Sequence, residues 1–140
     1  MNLPPYDRLL AGEALVFPLA PRALWRLTGP DSERYLNGQV TNDVAALPEG
    51  RACYAAVCTA KGRMEGDVFI ARHAGEFYLD ADAVLRESLG ARLDKFLIAD
   101  DAAFEDVSET WSVNHVLRAR NPRERSGPKS HGQGDPAASP

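Results

Sequence analysis

Short apolar runs alternate along this chain with clusters of turn-forming polar residues. Residues 14–19 (Ala-Leu-Val-Phe-Pro-Leu) and 23–27 (Ala-Leu-Trp-Arg-Leu) read as strands. Pro18 assigns the first to an edge or a bulge, since proline donates nothing to a sheet ladder. Residues 3–12 read as a short helix carrying Leu9 and Leu10. A second helix opens after Gly29-Pro30-Asp31. Thr28 or Gly29 suits its cap, Pro30 its first helical position, and Asp31 and Glu33 its N-terminal dipole. Tyr35 and Leu36 then face the core, and Gly38 suits a left-handed helix end. Thr41-Asn42-Asp43 predicts one further helical turn, capped by Thr41 or Asn42 and stopped by Pro48.

The next stretch reads as an antiparallel meander with period-two burial. Its strands are residues 52–58, 64–72 and 77–80, with turns at 59–62 and 73–76. Residues 82–97 give the clearest helix: Leu85, Leu89, Leu93, Phe96 and Leu97 fall on one side. Asp82 suits its N-cap. Gly90 weakens it by about 1 kcal/mol relative to alanine unless it permits a close contact. Residues 102–107 and 111–116 predict two more strands joined by Ser108-Glu109-Thr110. Strands, a long helix, then strands imply an α+β fold: an antiparallel sheet with packed helices.

One hundred and forty residues with 44% hydrophobic content allow one domain with a real core. No run approaches the length of a membrane span. The N-terminal residues show no basic patch followed by an apolar block, so the expected location is the cytoplasm. Cys53 and Cys58 share one strand at an odd spacing, face opposite sides of it, and are expected as reduced thiols. Charge is uneven. Residues 118–140 hold five Lys/Arg against two Asp/Glu, leaving eleven against eighteen in residues 1–117. The acidic body argues against a broad nucleic-acid-binding face. The segment 118–140, with four prolines, three glycines and no Leu, Ile, Val or Phe, is expected to be a disordered basic tail. Such a tail suits RNA or an acidic partner, or binds nothing specific.

Candidate chemistry concentrates in residues 35–67. His73, His115 and His131 have no Cys or carboxylate neighbours at ligand spacing, so no metal site is expected. No nucleophile constellation is present, and no catalytic residue is assigned. Lys61-Gly62-Arg63 sets two cations beside a flexible turn. They suit a ligand carboxylate, or equally a solvated hairpin. Asp67 offers a carboxylate to N–H donors. Asn42 and Asp43 are cap formers first and ligand contacts second.

The order of motifs resembles a known family. Gly29-Pro30-Asp31, Tyr35-Leu36-x-Gly38-Gln39-Val40-Thr41-Asn42-Asp43-Val44, Leu47-Pro48-x-Gly50 and Lys61-Gly62-Arg63-Met64 follow one another as in the N-terminal folate-binding domain of the glycine-cleavage T protein (aminomethyltransferase) and YgfZ-type proteins. The Lys-Gly-Arg-Met version is more similar to the YgfZ branch, and the resemblance covers residues 15–115. It implies a T-protein-like folate-binding subdomain over residues 1–117, present as part of a longer design. It implies tetrahydrofolate or another folate as cofactor, held by Asn42, Asp43, Lys61, Gly62, Arg63 and Asp67. The expected role lies in iron–sulfur cluster assembly or repair, or in tRNA modification, with iron–sulfur proteins as clients and no self-contained reaction in 140 residues. The alternatives are a fragment of an aminomethyltransferase and a non-catalytic interaction module. The T-protein branch has paired aspartates where this chain has Gly66 and Asp67, which counts against the former. The YgfZ branch's stacking tryptophan falls at Arg22, while Trp25 faces the core, and the family's later Lys-Gly-Cys-Tyr-x-Gly-Gln-Glu signature is absent. An incomplete set of subdomains predicts exposed apolar surface and self-association.

Overall fold

The computed structural model describes residues 5–119, so the expected tail falls outside the described residues from residue 120 onward. The chain divides into two compact units. Residues 18–115 form the larger, and residues up to 17 together with those from 116 form the smaller. The smaller unit contains helix α1 (Pro5–Leu10) and most of a two-stranded sheet, β1 (Ala14–Pro18) with β7 (Asn114–Arg118).

The larger unit is a five-stranded antiparallel sheet with helices on one face. Its strands are β2 (Arg22–Thr28), β3 (Ala52–Cys58), β4 (Met64–His73), β5 (Glu76–Asp82) and β6 (Ala103–Asp106), in spatial order β3-β4-β5-β2-β6. The expected meander is β3-β4-β5, and β2 continues it by pairing with β5. Alternation fixes which side chains go inward. Ala23, Trp25 and Leu27 of β2, Ala55 and Val57 of β3, Val68 and Ile70 of β4, and Phe77, Leu79 and Ala81 of β5 all enter one core cluster. Helices α2 (Ser32–Gln39) and α3 (Arg86–Lys95) close that cluster with Tyr35, Leu36, Leu89 and Leu93. The Tyr35 hydroxyl donates to the Leu93 carbonyl and ties the two helices together. Burial pushes this phenol up to about 12, so it stays a donor across the physiological range.

Two glycines are dictated by packing against the inner face. A Cβ on Gly90 of α3 would stand 3.1 Å from Nε1 of Trp25, so the helix runs close over the indole. A Cβ on Gly66 of β4 would meet Leu85 and Leu89 methyls at 3.2 Å. The helix expected over residues 82–97 begins instead with a 3-10 turn, Ala83–Leu85, and Asp82 caps it by accepting the Val84 amide at 3.0 Å.

Four local expectations are corrected. The helix after Gly29 starts at Ser32, not Pro30. The Asp31 carboxylate is engaged elsewhere, accepting the Asp101 amide at 2.8 Å. Gly38 lies inside that helix, which ends at Gln39 because Val40 turns extended to bridge Val57. Residues 41–47 form turns and no helix. There Asn37 Oδ1 accepts the amides of Val44 (2.9 Å) and Ala45 (3.3 Å), and Asp43 Oδ1 accepts Ala46 (3.1 Å), so the caps expected of Thr41 and Asn42 come from neighbours. The strands expected over residues 102–107 and 111–116 lie at Ala103–Asp106 (β6) and Asn114–Arg118 (β7) and do not pair with each other. The Ser108 hydroxyl accepts the Leu24 amide (2.9 Å) and the Val107 amide donates to the Leu24 carbonyl (2.9 Å). The Thr110 and Trp111 amides then both turn back to the Val107 carbonyl. This turn carries the chain over the sheet, and the last strand pairs with β1 and not with β6.

Candidate functional site on the outer face of the sheet

The face of the sheet opposite the helices carries Leu24 and Arg26 of β2, Tyr54 of β3, Asp67, Phe69 and Ala71 of β4, and Tyr78 and Asp80 of β5. Residues 107–113 cross part of it. Two aromatic rings stay half-exposed at one side, Tyr54 at 54% and Phe69 at 51%, with centroids 5.1 Å apart. Trp111, also 54% exposed, leans on Tyr78 at 5.3 Å. Between Phe69 and Trp111 lies a cavity of about 270 Å³ whose walls are almost wholly apolar: Leu24, Ala52, Ala71 and Val113 alongside the rings.

Polar groups on this face are organised by strand register. Asp67 accepts the Tyr54 hydroxyl at 2.8 Å, a diagonal cross-strand pair, and this raises the Tyr54 phenol above its ordinary range. The peptide carbonyl of Tyr54 accepts Asn42 Nδ2 at 2.9 Å, while Asn42 Oδ1 takes the Asp43 amide at 2.8 Å. Thr41 completes the cover: its amide donates to the Ala56 carbonyl and its hydroxyl accepts the Ala56 amide, both at 2.9 Å. Thr41 and Asn42 therefore occupy backbone positions along the outer edge of β3, blocking part of an open sheet edge. Asn42 and Asp43 spend their side chains on this loop and on the Ala46 amide.

Lys61, Gly62 and Arg63 form the tip of the β3–β4 hairpin. Gly62 adopts φ +78° and donates to the Thr59 carbonyl at 2.9 Å, a conformation that favours glycine. Arg63 lines a second cavity, of about 350 Å³, on the α3 side with Thr59, Glu65, Ser88 and Arg92. Arg92 is spent there on Glu65 (2.8 Å), Gln39 (2.9 Å) and the Cys58 carbonyl (3.3 Å). The structure thus brings Asn42 and Asp67 together through Tyr54, and sets the basic pair at the hairpin end. Tyr54, Phe69, Tyr78, Asp80 and Trp111 were not singled out from the sequence as site residues. A plain count from the turn at residues 59–63 would pair Tyr54 with Val68; a bulge opposite Val57 and Cys58 shifts the register by one and places Tyr54 beside Phe69 and diagonal to Asp67.

Ion pairs fix the floor of this face. Arg22 meets Asp80 at 2.7 Å, and Arg26 holds Glu76 through two bonds of 2.9 and 2.6 Å, with the Tyr78 hydroxyl adding a third at 2.8 Å. The Arg26 bond, then the Tyr78 bond, pull the Glu76 carboxyl from 4.5 down to about 2. A depressed carboxyl stabilises the fold fully above its unfolded value and loses that contribution as pH falls toward the folded one. Glu76→Gln is therefore expected to lower the thermal midpoint at pH 6, with the gap to the parent closing between pH 4.5 and 2. A gap independent of pH across that window would refute the linkage.

Among the described residues, no group of three or more His, Cys, Asp or Glu stands where it could hold a metal ion. No helix among them is long and apolar enough to cross a membrane. Cys53 and Cys58 are free thiols, both half-buried, and burial pushes the Cys53 thiol up.

The sequence profile of the GCVT N-terminal domain matches residues 14–118. A tRNA-modifying protein YgfZ of Cronobacter sakazakii is 40% identical over 76 residues, 54% of this chain and 23% of that protein. The YgfZ of Pectobacterium atrosepticum is 36% identical over 97 residues, covering 69% and 29%. An aminomethyltransferase of Rubrobacter xylanophilus is 36% identical over 85 residues, covering 61% and 23%. The crystal structure of the glycine cleavage system aminomethyltransferase T from Bartonella henselae has the same fold, with a TM-score of 0.67 at 19% identity over 76% of this chain and 29% of that one. The chain spans about a quarter of the length of the curated relatives it matches.

Proposed function

The chain belongs to the GCVT N-terminal domain family, and from that premise we propose that the outer face of its sheet is one wall of a folate site. The observation that carries this reading is the cavity between Phe69 and Trp111, set beside the Tyr54–Asp67 pair. A pterin ring is flat and apolar on its faces and carries amino and N–H donors on one edge. Aromatic and apolar walls suit the faces, and carboxylates suit the donors. Bound tetrahydrofolate would supply a carrier for one-carbon units. The chain's own residues bind and orient it: Phe69 and Trp111 flank the ring, Tyr54 fixes Asp67, Asn42 and Asp43 hold the loop beneath Tyr54, and Lys61 and Arg63, on the turn made by Gly62, meet the carboxylate tail.

The Lys61-Gly62-Arg63-Met64 turn supports the YgfZ-like branch, hence a cytoplasmic role in iron–sulfur cluster assembly or repair, or in tRNA modification, with iron–sulfur proteins as clients. Residues 1–117 then act as a partial folate-binding domain, and affinity for folate alone is expected to be weak. The half-exposed Tyr54, Phe69 and Trp111 support a second reading, an interaction module that self-associates through this face. Calorimetry with tetrahydrofolate tests the first: binding should fall in Lys61→Ala, which loses a charged partner for the tail, and in Asp67→Ala, which frees the Tyr54 ring beside the cavity. Micromolar binding unchanged by both substitutions would sink the site. Sedimentation that shifts with concentration and reverts in Phe69→Ser would favour the second.

A further inference from the structure

The cavity contains one carboxylate, and it is Asp80, not Asp67. Asp80 stands mid-sheet on β5, paired in register with Phe69 of β4 on one side and Leu24 of β2 on the other. Its side chain is 20% exposed, so it sits low among apolar neighbours. Arg22 Nε bonds Oδ1 at 2.7 Å, and among the described residues no hydrogen-bond donor reaches Oδ2. A carboxylate in mid-sheet loses much of its hydration, and an open oxygen there favours a ligand donor over none. Arg22 pins the group in one orientation. Asp67 has its own partner in Tyr54 and does not line the cavity.

We infer that Asp80 is the group that reads the N–H edge of a planar heteroaromatic ring bound in this cavity. The class of ligand is a 2-amino-4-oxopyrimidine-type ring, whose amino and ring N–H donors lie side by side and face a carboxylate in two-pronged fashion. Arg22 acts as its positioning residue. The apolar walls accept the ring faces, and Trp111 forms part of the rim. This assignment rests on the folate reading above and goes further, because it moves ring recognition from Asp67 to Asp80.

The chain carries its own probe. It has two tryptophans, and both border the cavity: Trp25 from the buried side at 1% exposure and Trp111 from the rim at 54%, so a Trp111→Phe variant assigns the signal. Titrating the full chain with pterin should quench Trp111 fluorescence. Lumazine, which replaces the amino donor with a carbonyl oxygen facing the carboxylate, should bind at least about tenfold more weakly. Asp80→Asn should erase that preference while Asp67→Asn keeps it. Asp80→Asn leaves Arg22 unpaired, so the double variant Arg22→Met/Asp80→Asn, which removes both charges, is measured alongside and should also show no preference. A pterin preference that survives in both Asp80 variants, or one that vanishes in Asp67→Asn, overturns the assignment while leaving folate binding in place. Parent protein that binds neither pterin nor tetrahydrofolate overturns both the assignment and the folate reading.

Discussion

Gly29→Ala is expected to destabilise the protein by about 3–5 kcal/mol, which would leave a fold of ordinary stability close to unfolded. Two independent costs add. Gly29 holds φ +108°, a region an L side chain enters only with strain. A Cβ there would also lie 2.6 Å from the Asp101 carbonyl oxygen and 2.7 Å from the Ala102 Cα, both backbone atoms that cannot swing aside. The approach is built in from both segments. The Asp31 amide donates to the Asp101 carbonyl at 3.1 Å, and the Asp101 amide returns to the Asp31 carboxylate at 2.8 Å. This lock sets where β6 begins, and so where the sheet's edge strand lies against β2. Urea unfolding measures the effect, and a loss under about 1 kcal/mol would mean that the two segments part without cost.

Gly66→Asp is expected to destabilise by about 3 kcal/mol or more, because it drives a charged group into the core between Leu85 and Leu89. Gly66→Ala is the control and should cost about 1–3 kcal/mol from overpacking alone. The substitution would recreate in sequence the paired aspartates of the T-protein-like pattern, yet not on one face. Gly66 points toward α3 and Asp67 toward the outer face, since neighbours on a strand alternate. The test reads both halves: denaturant unfolding for the core, and tetrahydrofolate calorimetry for the outer face. Tighter folate binding in Gly66→Asp at unchanged stability would contradict this placement.

The meander was legible because its signals were local. Residues 52–58 form a continuous run of small and apolar residues between Pro48-Glu49-Gly50 and a glycine turn, and β3 has those same bounds. Trp25 and the Leu89–Leu93 stripe were legible for a similar reason, a short period met by one apolar face. The partners and bounds of the last two strands were not legible because their deciding contacts are remote. Ser108 bonds to Leu24 across 84 positions, and no pattern near Ser108 announces that. Asn37 was missed as a cap because it caps from inside the preceding helix. The cavity was out of reach as well, since Leu24, Asp80 and Trp111 come from three separate stretches of chain, while Asp67 and the basic turn stood out as a compact motif.

The sheet's order also has a consequence for how the protein is made. β2 leaves the ribosome early, yet its neighbours on both sides, β5 and β6, come from much later in the chain. Arg26 waits 50 residues for Glu76. At about 5–20 residues per second, the apolar strand with Leu24, Trp25 and Leu27 stays unpaired for roughly 2.5–10 s of synthesis. That interval is far longer than hairpin formation, which takes about 1–10 μs. β2, which ends between β5 and β6 in the finished sheet, is thus the strand that a nascent-chain chaperone would meet, and slow codons between residues 28 and 76 should lengthen its exposure and lower soluble yield.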